Sequence, residues 1–404
     1  MAVWPLPRIT FRELSSLTER RPVALLTTEA VWTVLSAQLS LPVLIQAEPE
    51  RYDWQLFEYL ADNLPSRVQA VYAVGDGAPV EAAKIIAARN DLPLTIVPTA
   101  LSSLRMFQPF AVGEEKNELG FTRLTREETG SAREIVIDWG VIQAAPEATR
   151  GAGLADVLSI ITGLLDWRYA AQKGKNPREQ RFMAWAASVA TALVKQAIKS
   201  AGAVGQGNRE ALHTLLNLMA LAAQLNNQLG HTRAQQGGEH YLTHILAELT
   251  HFDVPHAAAV GQCLLFVAAL HGQDVTPLRN ALQQAGVPLD RVRPTDFALA
   301  LDHLEAYLVE YEFPYSILND VEAGDEKTQA ALQVAGLQIQ PQTWEKPGAS
   351  APRADAEAVS PVPEETMRAE TVYEDNSLES TPPSGSDVQP ASGDAHSSTG
   401  PSEA

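Results

Sequence analysis

Short runs of apolar residues alternate with stretches of helical periodicity through the first third of the chain. The runs Pro22–Thr27 (PVALLT), Leu41–Ala47 (LPVLIQA), Val68–Val74 (VQAVYAV) and Leu92–Val97 (LPLTIV) are bounded by turn or helix signals, the pattern of strands buried on both faces. The helical segment Val80–Arg89 separates the last two. Strand and helix in alternation predict a parallel sheet, whose ligands bind beyond the carboxyl ends of its strands. The connections of interest are therefore residues 75–79 and 98–110. Residues 110–133, polar and broken by glycines, suit an exposed hairpin ahead of a further strand in EIVIDW, Glu134–Trp139.

Past Ala145 the pattern becomes helical. Phe182, Trp185, Val189 and Leu193 recur at helical spacing, as do the leucines of ALHTLLNLMALAAQL, and such stripes predict core-facing helices. After Leu337 the apolar pattern stops, and the chain becomes rich in Pro, Ser, Glu and Ala, the composition of a disordered segment. The expected organisation is an α/β domain over 1–145, an all-helical domain over 146–338 and a disordered acidic tail over 339–404, solubilising or partner-binding.

Composition narrows the function classes. A chain of 404 residues, 45% hydrophobic, can bury one large core or two. Its formal charge of −19 argues against nucleic acid and anionic membranes as partners. About half of that charge sits in the tail, so the folded part is only mildly acidic. The first twenty residues lack a signal-peptide pattern, and no apolar run reaches the roughly 18–20 residues of a membrane span, so a cytoplasmic protein is expected. Cys263, the single cysteine, lies in the apolar run GQCLLFVAAL and reads as a buried, inert thiol.

Candidate chemistry concentrates in Gly237–Gly261, which holds four of the nine histidines. His240 and His244 are four apart and share a helix face, with His251 and His256 following. Two histidines on an apolar helix are more often core or cap than ligand, and a carboxylate from elsewhere would change that balance. Asp156, in the apolar segment GAGLADVLSIITGLLDW, is an acid that must be paired, capping or coordinating. In the turn GDGAP, Gly75 and Gly77 would let the backbone approach a phosphate at the following helix start. Asp76, however, places a carboxylate where a pyrophosphate wants none, and an ordinary strand-to-helix turn accounts for the string equally well. Thr99, Ser102 and Ser103 offer hydroxyls that bond a ligand or cap a turn.

Five strings in order, VGDGAPVEAAK, VPTALSS, GLADVLS followed by DW, GGEHYLTH and PHAAAVGQ, resemble the sn-glycerol-1-phosphate dehydrogenase branch of the superfamily that also holds 3-dehydroquinate synthase and the iron-containing alcohol dehydrogenases. The resemblance runs from about Pro22 to about Asn319. It implies a dehydroquinate synthase-like fold, with NAD or NADP and a divalent metal in the cleft between an α/β and an all-α domain. The family's metal ligands match Asp156, His240 and His256, with zinc favoured over iron. Its cofactor loop matches Gly75, Asp76, Gly77, Thr99 and Ser102. His244 becomes a proton-relay candidate, and Arg233 a candidate for a substrate phosphate. The implied partner is a small, phosphorylated or related substrate, and self-association is left open.

Several positions depart from the family. Asp76 interrupts the small-residue loop, and Glu81 replaces the usual aspartate. Ser103, Leu104 and Arg105 stand where His-Asp-Gly is usual, and Ala257, Ala258 and Ala259 follow His256 in place of the usual Gly-Glu-Gln. Three readings are open: an NAD(P)-linked polyol-phosphate dehydrogenase in which Arg105 compensates for lost polar contacts; a catalytically degenerate, metal-bearing interaction protein; and a dehydroquinate synthase-like lyase.

Overall fold

The computed structural model describes residues 5–116, 122–322 and 324–337, and the expected tail lies outside the described residues. The N-terminal half contributes β1 (Arg8–Phe11), β2 (Val23–Leu26), β3 (Val43–Ala47), β4 (Ala70–Val74), β5 (Leu94–Val97), the hairpin β6 (Phe110–Lys116) and β7 (Thr122–Glu128), and β8 (Glu134–Ile137). Between them run α1 (Glu29–Leu35), α2 (Trp54–Asp62) and α3 (Ala78–Arg89). All but the hairpin join one parallel sheet in the order β1-β8-β5-β4-β2-β3. The continuous apolar runs explain the centre: every residue of β2, β4 and β5 is buried, as sheets covered by helices require.

Both edges differ from the sequence reading. β3 is an edge strand, with Val43 and Leu44 37% and 39% exposed rather than buried on both faces. β1 was not anticipated; its four residues RITF, set among charged neighbours, carry too short a pattern and gain their conformation by pairing with β8. The hairpin and β8 fall where the glycines and the EIVI string put them.

The C-terminal half begins with α4 (Trp139–Ala144), α5 (Glu147–Arg150), α6 (Leu154–Leu158) and α7 (Ile160–Gln172). The long helices α8 (Ala184–Gly205) and α9 (Arg209–Leu229) pack on each other. They are followed by α10 (Gly238–Leu249), α11 (His256–Leu270), α12 (Thr276–Gln284), α13 (Pro294–Asp302), α14 (Leu304–Glu310) and α15 (Glu326–Ala335). On α8 the expected core stripe is only half right. Leu193 is buried, but Trp185 is 54% and Val189 47% exposed, because the small residues Ala186, Ala190 and Ala197 form the packed face. The most apolar helix is α11, buried on nearly all sides at the centre of the bundle. No described helix is long and apolar enough to cross a membrane.

The boundary expected at 145/146 falls between α4 and α5, and the apolar core passes through it, from Ala24 and Ile96 in the sheet to Leu154, Leu215 and Phe266 among the helices. One close approach fixes where α6 begins. The Gly153 amide bonds the Leu101 carbonyl at 2.8 Å, and a Cβ there would lie 2.9 Å from that oxygen. Glycine therefore lets the start of α6 lie directly against the 98–103 connection.

Candidate functional site

Three side chains able to ligate a metal converge from three helices. Asp156 on α6 is 3% exposed, and its Oδ1 lies 2.9 Å from His256 Nε2 and 3.8 Å from His240 Nε2. His240 is on the first turn of α10, and His256 opens α11 behind Pro255. One ligand atom from each falls within 4.8 Å of the others. The other oxygen of Asp156 accepts from the Leu104 amide at 2.8 Å, so the carboxylate is aimed from behind by the 98–110 connection.

A carboxylate that the sequence reading missed completes the set. Glu239 is fully buried, and its Oε1 accepts from the Gly237 amide at 2.9 Å and lies 2.8 Å from His240 Nδ1. That contact assigns the proton to Nδ1 and leaves the Nε2 lone pair toward Asp156, the tautomer a metal requires. Its signal was present as the acid inside GGEH. A carboxylate and two imidazoles, one of them with its tautomer oriented by Glu239, fit a divalent metal.

Charge states follow from these contacts. Burial pushes the Asp156 carboxyl up, but the charge and hydrogen bond of His256, the charge of His240 and the Leu104 amide outweigh it and hold it at about 2. Burial lowers His240, yet Glu239 and Asp156 raise it above the usual imidazole range. His244, one turn on, is pushed down to about 4 by burial and then by the Arg105 charge, and its Nε2 has no hydrogen-bond partner. It packs edge-on to Tyr311 and Phe313 and is neutral at pH 7. His251 does not join the group; it lies in the α10–α11 connection at φ 50°, 3.3 Å from Glu114 Oε1.

The cluster opens into a cavity of about 530 Å³ whose wall includes Arg105, His244, Phe110, Arg126 and Phe313. Arg105 lies 3.6 Å from Glu81 with its guanidinium over the Tyr52 ring. Arg233 also borders the cavity but is only 2% exposed. Its guanidinium donates to the Tyr241 hydroxyl, the carbonyls of Asp166 and Tyr315, and the Asn176 amide oxygen, leaving only Nε without a partner.

The glycine turn lies at a different place. Strand order reverses between β2 and β4, and the turn 75–77 follows β4 at that crevice, where open α/β sheets take their ligands. Gly75 and Gly77 have φ of 132° and 72°, and no side chain caps α3. A helix start entered through glycines and left without a side-chain cap is a place that can take a dinucleotide phosphate. Asp76 is turned to the Ser102 hydroxyl, which donates to it. Ser103 caps the short turn at Leu104–Phe107, and Thr99 follows the end of β5. Overhead stands Tyr52, its hydroxyl 3.2 Å from where a Gly77 Cβ would be and its ring stacked on Phe252 at 4.1 Å. Burial first, opposed by the Arg105 charge, raises its phenol to about 12. No feature of the sequence marked Tyr52.

No family model matches the chain. Among curated proteins it is similar to the glycerol-1-phosphate dehydrogenase [NAD(P)+] of Aeropyrum pernix, 28% identical over 231 residues, which are 57% of this chain and 63% of that protein. It is likewise similar to the enzyme of the same name from Methanosphaerula palustris, 29% identical over 223 residues, 55% and 59% of the two chains. The chain thus spans less than two thirds of the length of these relatives. Among solved structures, a probable glycerol dehydrogenase from Sinorhizobium meliloti superposes with a TM-score of 0.59 at 15% identity, covering 82% of this chain and 97% of that one. A sulfoacetaldehyde reductase from Bifidobacterium kashiwanohense, solved with NAD+, gives 0.57 at 16% identity, covering 82% and 98%. The fold is that of the dehydroquinate synthase-like, iron-containing alcohol dehydrogenase group, and the glycerol-1-phosphate dehydrogenase resemblance carried by the five strings is found independently in the curated relatives.

Proposed function

We propose that the protein is a metal-dependent, NAD(P)-linked oxidoreductase that moves a hydride between nicotinamide and a small polyol phosphate or a related alcohol or carbonyl. The observation that carries this reading is the convergence of Asp156, His240 and His256 on the cavity that also takes the Arg105 guanidinium. Asp156, His240 and His256 would hold the metal, zinc in preference to iron, and Gly75, Gly77 and the start of α3 would hold the dinucleotide phosphates. When bound, the metal supplies Lewis acidity at the substrate oxygen and the nicotinamide carries the hydride.

The chain's own residues do the rest. Glu239 keeps the His240 proton on Nδ1. His244, neutral and unpartnered at Nε2, accepts or returns the hydroxyl proton. Arg105 offers its fixed charge to an anionic substrate group in the cavity. Ser102 draws the Asp76 carboxylate aside, which lessens its repulsion of phosphate at the turn. Arg233, engaged at both terminal nitrogens, serves the substrate by holding the cavity wall at Tyr241.

One observation favours a second reading, a metal-bearing protein that has ceased to bind cofactor: Tyr52 stands over the turn in which Asp76 replaces a small residue. A titration of the zinc-loaded protein with NADH and NADPH, followed by nicotinamide fluorescence, separates the two. Saturation at roughly 1 μM to 1 mM is expected, with turnover of dihydroxyacetone phosphate or a similar carbonyl that the His240→Ala, His256→Ala variant lacks. Absence of binding at millimolar cofactor by a folded, zinc-containing protein would favour the second reading.

A further inference from the structure

We propose that Asp166 is a positioning residue for His240, acting from α7 as the cap that α10 lacks; this rests on the metal reading of Asp156, His240 and His256. The N-cap residue of α10 is Gly237, which has no side chain to satisfy the first amides of the helix. Asp166, fully buried one helix away, supplies the missing acceptor: its Oδ2 takes the Gly238 amide at 2.7 Å. A carboxylate at a helix N-terminus is favoured by the helix dipole, and its bonds to amides are stronger than neutral ones.

The same carboxylate reaches two more segments. Its Oδ1 accepts from the Ile317 amide at 2.8 Å and lies 2.9 Å from His271 Nε2. His271 caps the end of α11, the helix that His256 opens. The start of α10, the end of α11 and the 315–318 turn therefore meet at one group. Close packing fixes the arrangement further: a Cβ on Gly237 would lie 2.5 Å from Asp166 Oδ2 and 3.0 Å from the Thr162 carbonyl.

His240 is two residues past the amide that Asp166 holds, so a first turn that frays carries the imidazole away from Asp156. Groups that orient metal ligands from outside the coordination sphere are worth about 10- to 100-fold in metal affinity. The string DW, which lies shortly after the Asp156 motif in the sequence, gains a role on this account: Asp156 faces the metal position and Asp166 sets the helix that brings His240 to it.

The test is a cobalt(II) titration of the metal-free protein, read by visible absorption and by competition with a chelator. Wild-type protein is expected to show one site that His240→Ala removes. Asp166→Asn, which sets an amide N–H against one of the three donors, is expected to bind at least about tenfold more weakly with an altered cobalt spectrum. Phe297→Leu, a core change packed on Phe266, controls for lost stability and is expected to keep the wild-type affinity and spectrum. Should Asp166→Asn not fold, His271→Leu and His271→Gln read the same linkage: the leucine is expected to weaken cobalt binding and the glutamine, which keeps an N–H donor, to restore it. A folded Asp166→Asn protein with wild-type affinity overturns the proposal, as does a His271 pair without difference, or a Phe297→Leu protein that loses affinity as much. A wild-type protein without a His240-dependent site would sink the metal reading itself, and this one with it.

Discussion

The Asp156–His240–His256 cluster and the glycine turn answer to opposite kinds of control. At the cluster, Asp156 and the imidazole of His240 each have a second partner that fixes their aim, the Leu104 amide and Glu239. At the turn, Gly75 and Gly77 carry the conformation, and Asp76, Ser102 and Tyr52 surround it without a bond that fixes its shape to a ligand. One end is defined by side chains held in place, the other by the course of the backbone. Side-chain constellations tolerate little change, whereas a backbone cradle persists while its neighbours vary.

The comparison can be broken most severely at the cluster. His240→Ala or His256→Ala is expected to abolish stoichiometric zinc binding and any metal-dependent turnover, as measured by metal analysis after dialysis. A large effect is also expected beneath the turn, where Lys84 is buried with its Nζ 3.2 Å from Glu81 and bonded to the carbonyls of Arg105 and Phe110. Lys84→Met leaves Glu81 buried beside fewer donors and should cost about 3–5 kcal/mol by denaturant unfolding. The double change with Glu81→Leu should cost less than the single one. Equal losses would mean that the ammonium matters for its carbonyl contacts alone.

Protonation separates the two ends at a smaller scale. His244 titrates at about 4 in the fold against 6.5 for the free imidazole. Above pH 6.5 both states are neutral and nothing is gained. As the pH falls through 6.5 the unfolded chain takes up a proton that the folded one refuses, so stability drops until the pH reaches about 4. The loss is at most about 3–4 kcal/mol, and His244→Leu should flatten that limb of the metal-free protein's stability profile. An unchanged limb would assign it to other groups. The smallest expected effect is at the turn itself: Asp76→Gly should tighten NADH by roughly tenfold, about 1.4 kcal/mol, in a fluorescence titration. No tightening would leave Tyr52 as the obstacle.

Legibility follows the same division. The buried strands could be read because a two-faced sheet demands unbroken apolar runs, and the hairpin because glycines mark its breaks. β1 could not, since four residues between charges acquire strand geometry only from β8. By helix spacing alone His240 and His244 are equivalent, and only the family resemblance tells them apart; in the fold Glu239 and the approach of α6 turn His240 toward Asp156 and leave His244 alone, which spacing does not record. Tyr52 reaches Gly77 and Phe252 only through the fold. Trp185 on α8 obeyed the period of a core position, but alanines take the packed face, so periodicity without residue size misassigned it.

Cys263 sits on α11 with no exposed surface, and burial raises its thiol to about 12. Because the chain has one cysteine, its alkylation is a clock with a single hand. A reagent that needs thiolate cannot reach it until α11 parts from α10, so the rate of modification counts the openings of the helix pair that brings His240 and His256 together. Slower labelling with metal present would measure, in wild-type protein and without any spectroscopic label, how strongly the ion closes that seam.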